Sequence, residues 1–189
     1  MSYNKLATIV DIANMFWSIN IHKDSRKYTH FYYNKRIYRH ARLGQGLKNS
    51  PYISVKALRY TLSTTVLQNF LSSINCTNFP YKTFDDFVIQ YIDDIGIFTP
   101  ISHEEWDPHD LHYTAVRAVL YALQEVGWLH SKGKCQFLTK SFKFLGIKIH
   151  TNANYSCLQD DRIRSILDWR KPKSIAETEY YVTRDPIPA

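Results

Sequence analysis

Phe87-Val88-Ile89-Gln90-Tyr91-Ile92-Asp93-Asp94-Ile95-Gly96-Ile97-Phe98 reads as two apolar runs, Phe87 to Ile92 and Ile95 to Phe98, that meet at a pair of acids. Two extended segments with so little chain between them form a tight hairpin, and its tip carries Asp93 and Asp94. Upstream, Lys5 to Val10 is a short apolar run that ends on Asp11, the pattern of a buried strand with a carboxylate at its mouth. Placed side by side in one sheet, these two units bring three carboxylates together. Asp is also a favoured turn residue, so two acids at a hairpin tip specify no chemistry until other features join them.

Outward from this centre, Ile19 to His40 reads as strands broken by polar turns around Lys23 to Arg26 and at Asn34-Lys35. Asn49 or Ser50 can cap a helix with Pro51 in its first turn; Val55, Leu58, Leu62, Val66 and Phe70 then recur at helical spacing and predict one helix to about Leu71. Val116, Val119, Leu120, Leu123 and Val126 predict a second helix, capped by Asp107 and ended by Gly127. Short strands are expected through Phe137 and from Phe142 to Ile149. A last helix carries Ile163, Ile166 and Leu167, with Asp160 and Asp161 near its start and Pro172 beyond its end. The order implies an α+β fold, an antiparallel sheet with helices on one face. A domain break is expected near Asn152, and the residues after Glu179 read as an unstructured end.

The composition sets the class of protein and of partner. A chain of 189 residues, 44% hydrophobic and 22% charged, can bury a core without disulfide or metal staples. Its net charge of +7 and pI near 9.2 suit a polyanion. The densest basic run is Lys23, Arg26, Lys27, Lys35, Arg36, Arg39 and Arg42; Lys132, Lys134, Lys140, Lys143 and Lys148 form a second, and both are interleaved with aromatics. Cys76, Cys135 and Cys157 are too few and too scattered for a disulfide framework or a paired-cysteine zinc site. No signal-peptide pattern or membrane-length apolar run occurs. The expected setting is therefore soluble and reducing: intracellular, in cytoplasm or nucleus, or packaged. His109 and His112 share a helical face at a zinc-like spacing, but the stretch reads more simply as a helix start capped by Asp107.

Three converging carboxylates repel one another unless cations or raised pKa values relieve them. Magnesium takes one or two carboxylates and completes its shell with phosphate oxygens. Two such ions stabilise both the attacking and the leaving oxygen of an in-line phosphoryl displacement.

Five segments supply the company that the acids need: Asp11-Ile12-Ala13-Asn14-Met15-Phe16; Leu43-Gly44-Gln45-Gly46-Leu47-Lys48-Asn49-Ser50-Pro51; Tyr91-Ile92-Asp93-Asp94; Gly133-Lys134-Cys135; and Phe144-Leu145-Gly146. In this order they resemble the motifs of retroviral and LTR-retrotransposon reverse transcriptases, over about Ala7 to Pro172. The resemblance implies a polymerase palm over residues 1–151, with partial fingers at about 20–42, the start of a thumb over 152–180 and a disordered tail over 181–189. It implies RNA- and DNA-dependent DNA synthesis by a fragment of a Pol polyprotein. Asp11 and Asp93 would hold two Mg²⁺ ions, for which Mn²⁺ can substitute, and Asp94 would complete the site. Phe16 would exclude a ribose 2′-hydroxyl by overlap. Gln45 and Gly46, with Tyr91 and Ile92, would line the incoming nucleotide. Lys134 would protonate the leaving pyrophosphate, and Phe144, Leu145 and Gly146 would steady the primer end.

The implied partners are an RNA or DNA template, a DNA or RNA primer, deoxynucleoside triphosphates, and the rest of Pol with its fingers, thumb and RNase H; no membrane is implied. Only ten residues precede Asp11, so the basic groups with which the family's fingers clamp the triphosphate would have to come from Lys35 to Arg42. Two other readings stay open. One is a catalytically inactive retroelement remnant that binds nucleic acid or a protein partner. The other is an RNA-directed RNA polymerase, against which Phe16 argues.

Overall fold

Lys5–Asp11 forms β1, buried from Leu6 onward. A strand covered on both faces has no solvent side to mark with alternating polar residues, and this one is accordingly apolar along most of its length. The computed structural model describes residues 5–151 and 155–167. In it, β1 pairs antiparallel with β5 (Asp94–Pro100), from Lys5↔Pro100 to Asp11↔Asp94. β5 also pairs with β4 (Val88–Tyr91), and β6 (Gln136–Thr139) adds to the far side of β1, for a sheet order β4-β5-β1-β6.

The two-residue period divides this sheet into two faces. Thr8 and Val10, opposite Ile97 and Ile95, point one way; Ala7, Ile9 and Asp11, opposite Phe98, Gly96 and Asp94, point the other. Helix α4 (Pro108–Glu125) covers the first face with Ala115, Val119 and Leu123, and α3 (Thr64–Ser73) adds Leu67 and Phe70 to the same core. The Asp107 side chain caps α4, accepting from the His109 and Asp110 amides, and Gly127, at φ 74°, ends it as the spacing predicts. On the second face Phe142 and Phe144 pack against Ala7 and Ile9, beside Phe98 and Ile149. Phe142 and Phe144 belong to a second antiparallel sheet, β7 (Ser141–Phe144), β8 (Ile147–His150) and β9 (Tyr155–Leu158).

The structure departs from the sequence-based expectations in three places. The single helix expected to reach Leu71 is two helices, α2 (Ser50–Thr61) and α3. Ser63 is extended and its side chain accepts the Val66 amide, a cap that restarts the helix. The run from Phe142 to Ile149 is a hairpin, because Leu145 and Gly146 turn with φ of 53° and 74°. Ile19 to His22 is no strand; the turn expected around Lys23 to Arg26 is the 3₁₀ turn Lys23–Tyr28, and β2 (His30–Tyr33) and β3 (Arg36–Arg39) form the expected hairpin. Asn34 and Lys35, both at positive φ, make its two-residue turn.

α5 (Asp160–Leu167) lies where its apolar positions predict. Strands β8 and β9, which flank residues 152–154, pair with each other. The expected break at Asn152, Pro172, the thumb residues beyond Leu167 and the tail over 181–189 lie outside the described residues. Among the described residues no helix is long and apolar enough to cross a membrane.

Candidate active site

Asp11 ends β1 because the chain finds new partners there. The Ile12 amide donates to the Asp93 carbonyl (2.8 Å) and the Ala13 amide to the Leu129 carbonyl (2.8 Å). Asn14 then turns the backbone at φ 52° into the short helix α1 (Met15–Ser18). The Asp11 carbonyl accepts the Ser131 amide (2.8 Å), and the Ser131 carbonyl accepts the amides of Lys134 (2.9 Å) and Cys135 (3.1 Å). This hangs a turn from the end of β1 and brings Lys134 Nζ to 3.5 Å from Asp11 Oδ2.

Asp94 is the first residue of β5 and lies directly opposite Asp11. Residues so paired have Cα atoms about 4.5–5.5 Å apart and side chains on one face, here the face away from α4. Tyr91, opposite Asp94 on the other side, shares that face and is exposed. Asp93 occupies the hairpin turn with Ile92, whose φ is 49°. A β-branched residue in the left-handed region costs on the order of 1–3 kcal/mol, so the hairpin stores strain immediately beside the acids.

The carboxylates act on one another. Burial raises the Asp94 carboxyl above its ordinary pKa, and the neighbouring charges of Asp93 and then Asp11 push it further the same way, with Lys134 opposing them. Like charges held this close favour a divalent cation among them. Among the described residues no group of three His, Cys, Asp or Glu side chains is arranged to hold a metal by itself. Asp11 and Asp94, paired on one face, supply the one or two carboxylates that suffice for a magnesium-type site, in which a substrate supplies the remaining oxygens.

The other candidate residues lie on separate segments of the chain. Phe16 is half-buried in α1, and its carbonyl accepts the Ile19 amide (3.1 Å). The Leu43 amide donates to the Ile19 carbonyl (2.8 Å), which stitches the loop of Gln45 and Gly46 to the segment after Phe16. Gln45 and Gly46 are exposed, Gly46 has φ 83°, and Ser50 Oγ holds the loop by donating to the Gly44 carbonyl (2.6 Å). Phe144 is buried on the carboxylate-bearing face, and Leu145 and Gly146 form the turn beyond it. Among the described residues no hydrogen bond or ion pair links Phe16, Gln45 or this turn to the three acids.

His112 is no metal ligand: buried under the sheet, it shares Nε2 with Thr8 Oγ1 and Nδ1 with Thr99 Oγ1, both at 2.8 Å. Two contributors escaped the sequence reading. Ser131 acts through its backbone, which no side-chain pattern reports. Arg162 lays its guanidinium 3.0 Å from where a Cβ on Gly146 would stand, a pairing between segments that share no motif.

Comparison with known proteins gives this geometry a family. The sequence model described as "Reverse transcriptase (RNA-dependent DNA polymerase)" matches residues 1–149. A polyprotein of Cassava vein mosaic virus is 29% identical over 139 residues, 74% of this chain and 17% of that protein. The enzymatic polyprotein of Figwort mosaic virus is 26% identical over 156 residues, 82% of this chain and 19% of that protein. The chain thus spans under a fifth of these relatives. Among solved structures, a foamy viral protease-reverse transcriptase in complex with RNA/DNA hybrid aligns over 94% of this chain and 20% of its own, with a TM-score of 0.63 and 22% identity. A second, in complex with double-stranded DNA, aligns over 93% of this chain and 26% of its own, with a TM-score of 0.65 and 24% identity. The expected α+β palm is therefore the fold observed, and the chain belongs to the reverse transcriptase (RNA-dependent DNA polymerase) family.

Proposed function

We propose that this chain is the catalytic palm for RNA- and DNA-dependent DNA synthesis within a Pol polyprotein, with Asp11, Asp93 and Asp94 as its reacting carboxylates. The observation that carries this reading is the Asp11↔Asp94 register, with Asp93 in the adjoining turn. Asp11 and Asp93 would hold two divalent cations and Asp94 would complete the site. Mg²⁺, or Mn²⁺ in its place, supplies stabilisation of the charge on the attacking 3′-oxygen and the leaving oxygen when bound.

The protein's own groups orient the substrates. Phe16, half-buried and fixed in α1, excludes a 2′-hydroxyl by overlap. Gln45 and Gly46 contact the incoming nucleotide on an exposed loop where the backbone can approach closely, and Tyr91 and Ile92 line the same nucleotide from the hairpin. Lys134, already drawn to Asp11, donates its proton to the pyrophosphate as that group departs. The turn of Phe144, Leu145 and Gly146 steadies the primer end. Complexes of the foamy viral neighbours with RNA/DNA hybrid and double-stranded DNA support a template–primer as partner.

Primer extension on an RNA template with magnesium tests the assignment. Extension by the chain that is lost in Asp93→Asn is the expected result; extension undiminished in that variant overturns the site. Phe16→Ala is expected to admit ribonucleotides.

A further inference from the structure

The β2–β3 ribbon is unlike the rest of the molecule. All eight of its strand residues are exposed, although an isolated two-stranded ribbon is marginal in water. Residues 20–42, which contain it, hold seven Lys or Arg and a single acid, Asp24. That segment therefore carries six of the seven net positive charges of the chain, and the other 166 residues are close to neutral.

The antiparallel register sorts its side chains. Phe31↔Tyr38 and Tyr33↔Arg36 share one face, while His30↔Arg39 and Tyr32↔Ile37 share the other. On the first face the rings run in series: Trp17 to His40 at 6.1 Å, His40 to Phe31 at 4.8 Å, Phe31 to Tyr38 at 5.6 Å, and Tyr38 to Tyr33 at 6.5 Å. The series begins at Trp17 in α1, the helix that follows Asp11 in the chain, and the Trp17 carbonyl accepts Arg42 Nη1 (2.9 Å). The Ile21 amide also donates to the Ala41 carbonyl (2.9 Å), so the root of the ribbon is fastened on both sides. The rings then lead outward to the turn at Asn34 and Lys35.

We infer that this face is a stacking platform for unpaired bases of single-stranded nucleic acid, with Tyr33, Tyr38 and Phe31 under the bases and Arg36 at the phosphates. Deepening the proposed function, it gives the template strand a path away from the site. Aromatic rings on a basic ribbon are the two components of sequence-tolerant single-strand binding. A protein partner would cover the aromatics equally well, but it gives no reason for the concentration of positive charge, which a phosphate backbone neutralises.

The test measures binding of the whole 189-residue chain to a fluorescent oligo(dT) without divalent cations, so that it is independent of catalysis, with an abasic strand of the same length as the base-free probe. Expected are tighter binding of oligo(dT) than of the abasic strand, a loss of about tenfold for oligo(dT) in Tyr33→Leu or Tyr38→Leu, and unchanged abasic binding in both variants. Arg36→Gln should instead lower the salt dependence for both strands, by about 0.7 in the logarithmic slope. Tyr32→Leu, on the opposite face, should leave oligo(dT) binding unchanged and serves as the control for folding of the ribbon. Equal affinity for the two strands, or equal losses in Tyr32→Leu and Tyr33→Leu, overturns the platform. Failed primer extension with this binding pattern intact would count against the proposed catalysis alone.

Discussion

Lys134 Nζ reaches to 3.5 Å from Asp11 Oδ2 across 123 residues of chain, held there by a turn whose anchor is the Asp11 carbonyl itself. The lysine side chain is 73% exposed and the aspartate 13%. Water around the lysine screens the pair, so it contributes no more than about 1 kcal/mol to stability. Its proposed use is chemical. Lys134→Met should leave the urea midpoint nearly unchanged while slowing single-turnover extension by about 10²-fold or more, and Lys134→Arg should recover only part of the rate. A variant that unfolds readily yet extends normally would assign the lysine to structure.

Asp94 predicts the response to metal. A carboxyl whose pKa is raised on folding favours the folded state below its ordinary value, and that contribution is lost as pH rises through the raised value. At neutral pH the Asp94 carboxylate therefore works against folding, since its burial and the charges of Asp93 and Asp11 remain. In a chelating buffer Asp94→Asn should melt higher than the wild type. Millimolar Mg²⁺ should raise the wild-type Tm through binding to the folded state and raise that of the variant less, with extension reduced at least about 10³-fold. Thermal melts with and without Mg²⁺ check the sign of both shifts.

The parts of the site that sequence made legible are those written in local pattern. The hairpin of β4 and β5 shows itself because apolar runs flank a turn, and β1 because an apolar run ends on Asp11. That β5 separates β4 from β1, so that Asp94 and not Asp93 faces Asp11, depends on the register of strands more than eighty residues apart, which no local pattern encodes. The break between α2 and α3 was hidden because Leu58, Leu67 and Phe70 enter one core and keep a helical rhythm across it. Its marker, the cap formed by Ser63, lay in plain view. Lys134 belonged to a motif, yet its approach to Asp11 comes from backbone bonds at Ser131, where any residue but proline would serve.

His112 predicts the acid limit of the fold. Both ring nitrogens face threonine hydroxyls under the sheet, so a neutral ring donates with one nitrogen and accepts with the other. Burial, with a smaller effect of His109, lowers its pKa from 6.5 to about 4. A histidine so depressed costs the folded state nothing above the ordinary value. As pH falls from 6.5 toward 4 the unfolded chain takes up the proton first, and stability drops by roughly 3 kcal/mol over that interval. Urea titrations between pH 7 and 5, where most carboxylates stay ionised, should show this slope, and His112→Asn should abolish it while lowering stability at pH 7.

Gly96 is the one position in β5 where the sheet leaves no space for a methyl group. It lies opposite Ile9 on the carboxylate-bearing face, and a Cβ there would stand 2.5 Å from Phe98 Cε2 and 2.8 Å from Cζ. The Phe98 ring cannot simply swing away, because it packs against Phe142 at 5.6 Å and Phe144 at 6.4 Å, the contacts that seat the β7–β8 hairpin on the sheet. Gly96→Ala should therefore cost about 1–3 kcal/mol by overpacking and shift the turn at Leu145 and Gly146, which would appear as weaker primer binding with the metal response of the carboxylates retained. Replacing the ring in the same chain, Gly96→Ala with Phe98→Leu, makes room for the methyl group. The pair should be less destabilised than the sum of the two single variants, and strict additivity in the urea midpoints would show that the ring and the glycine are not coupled.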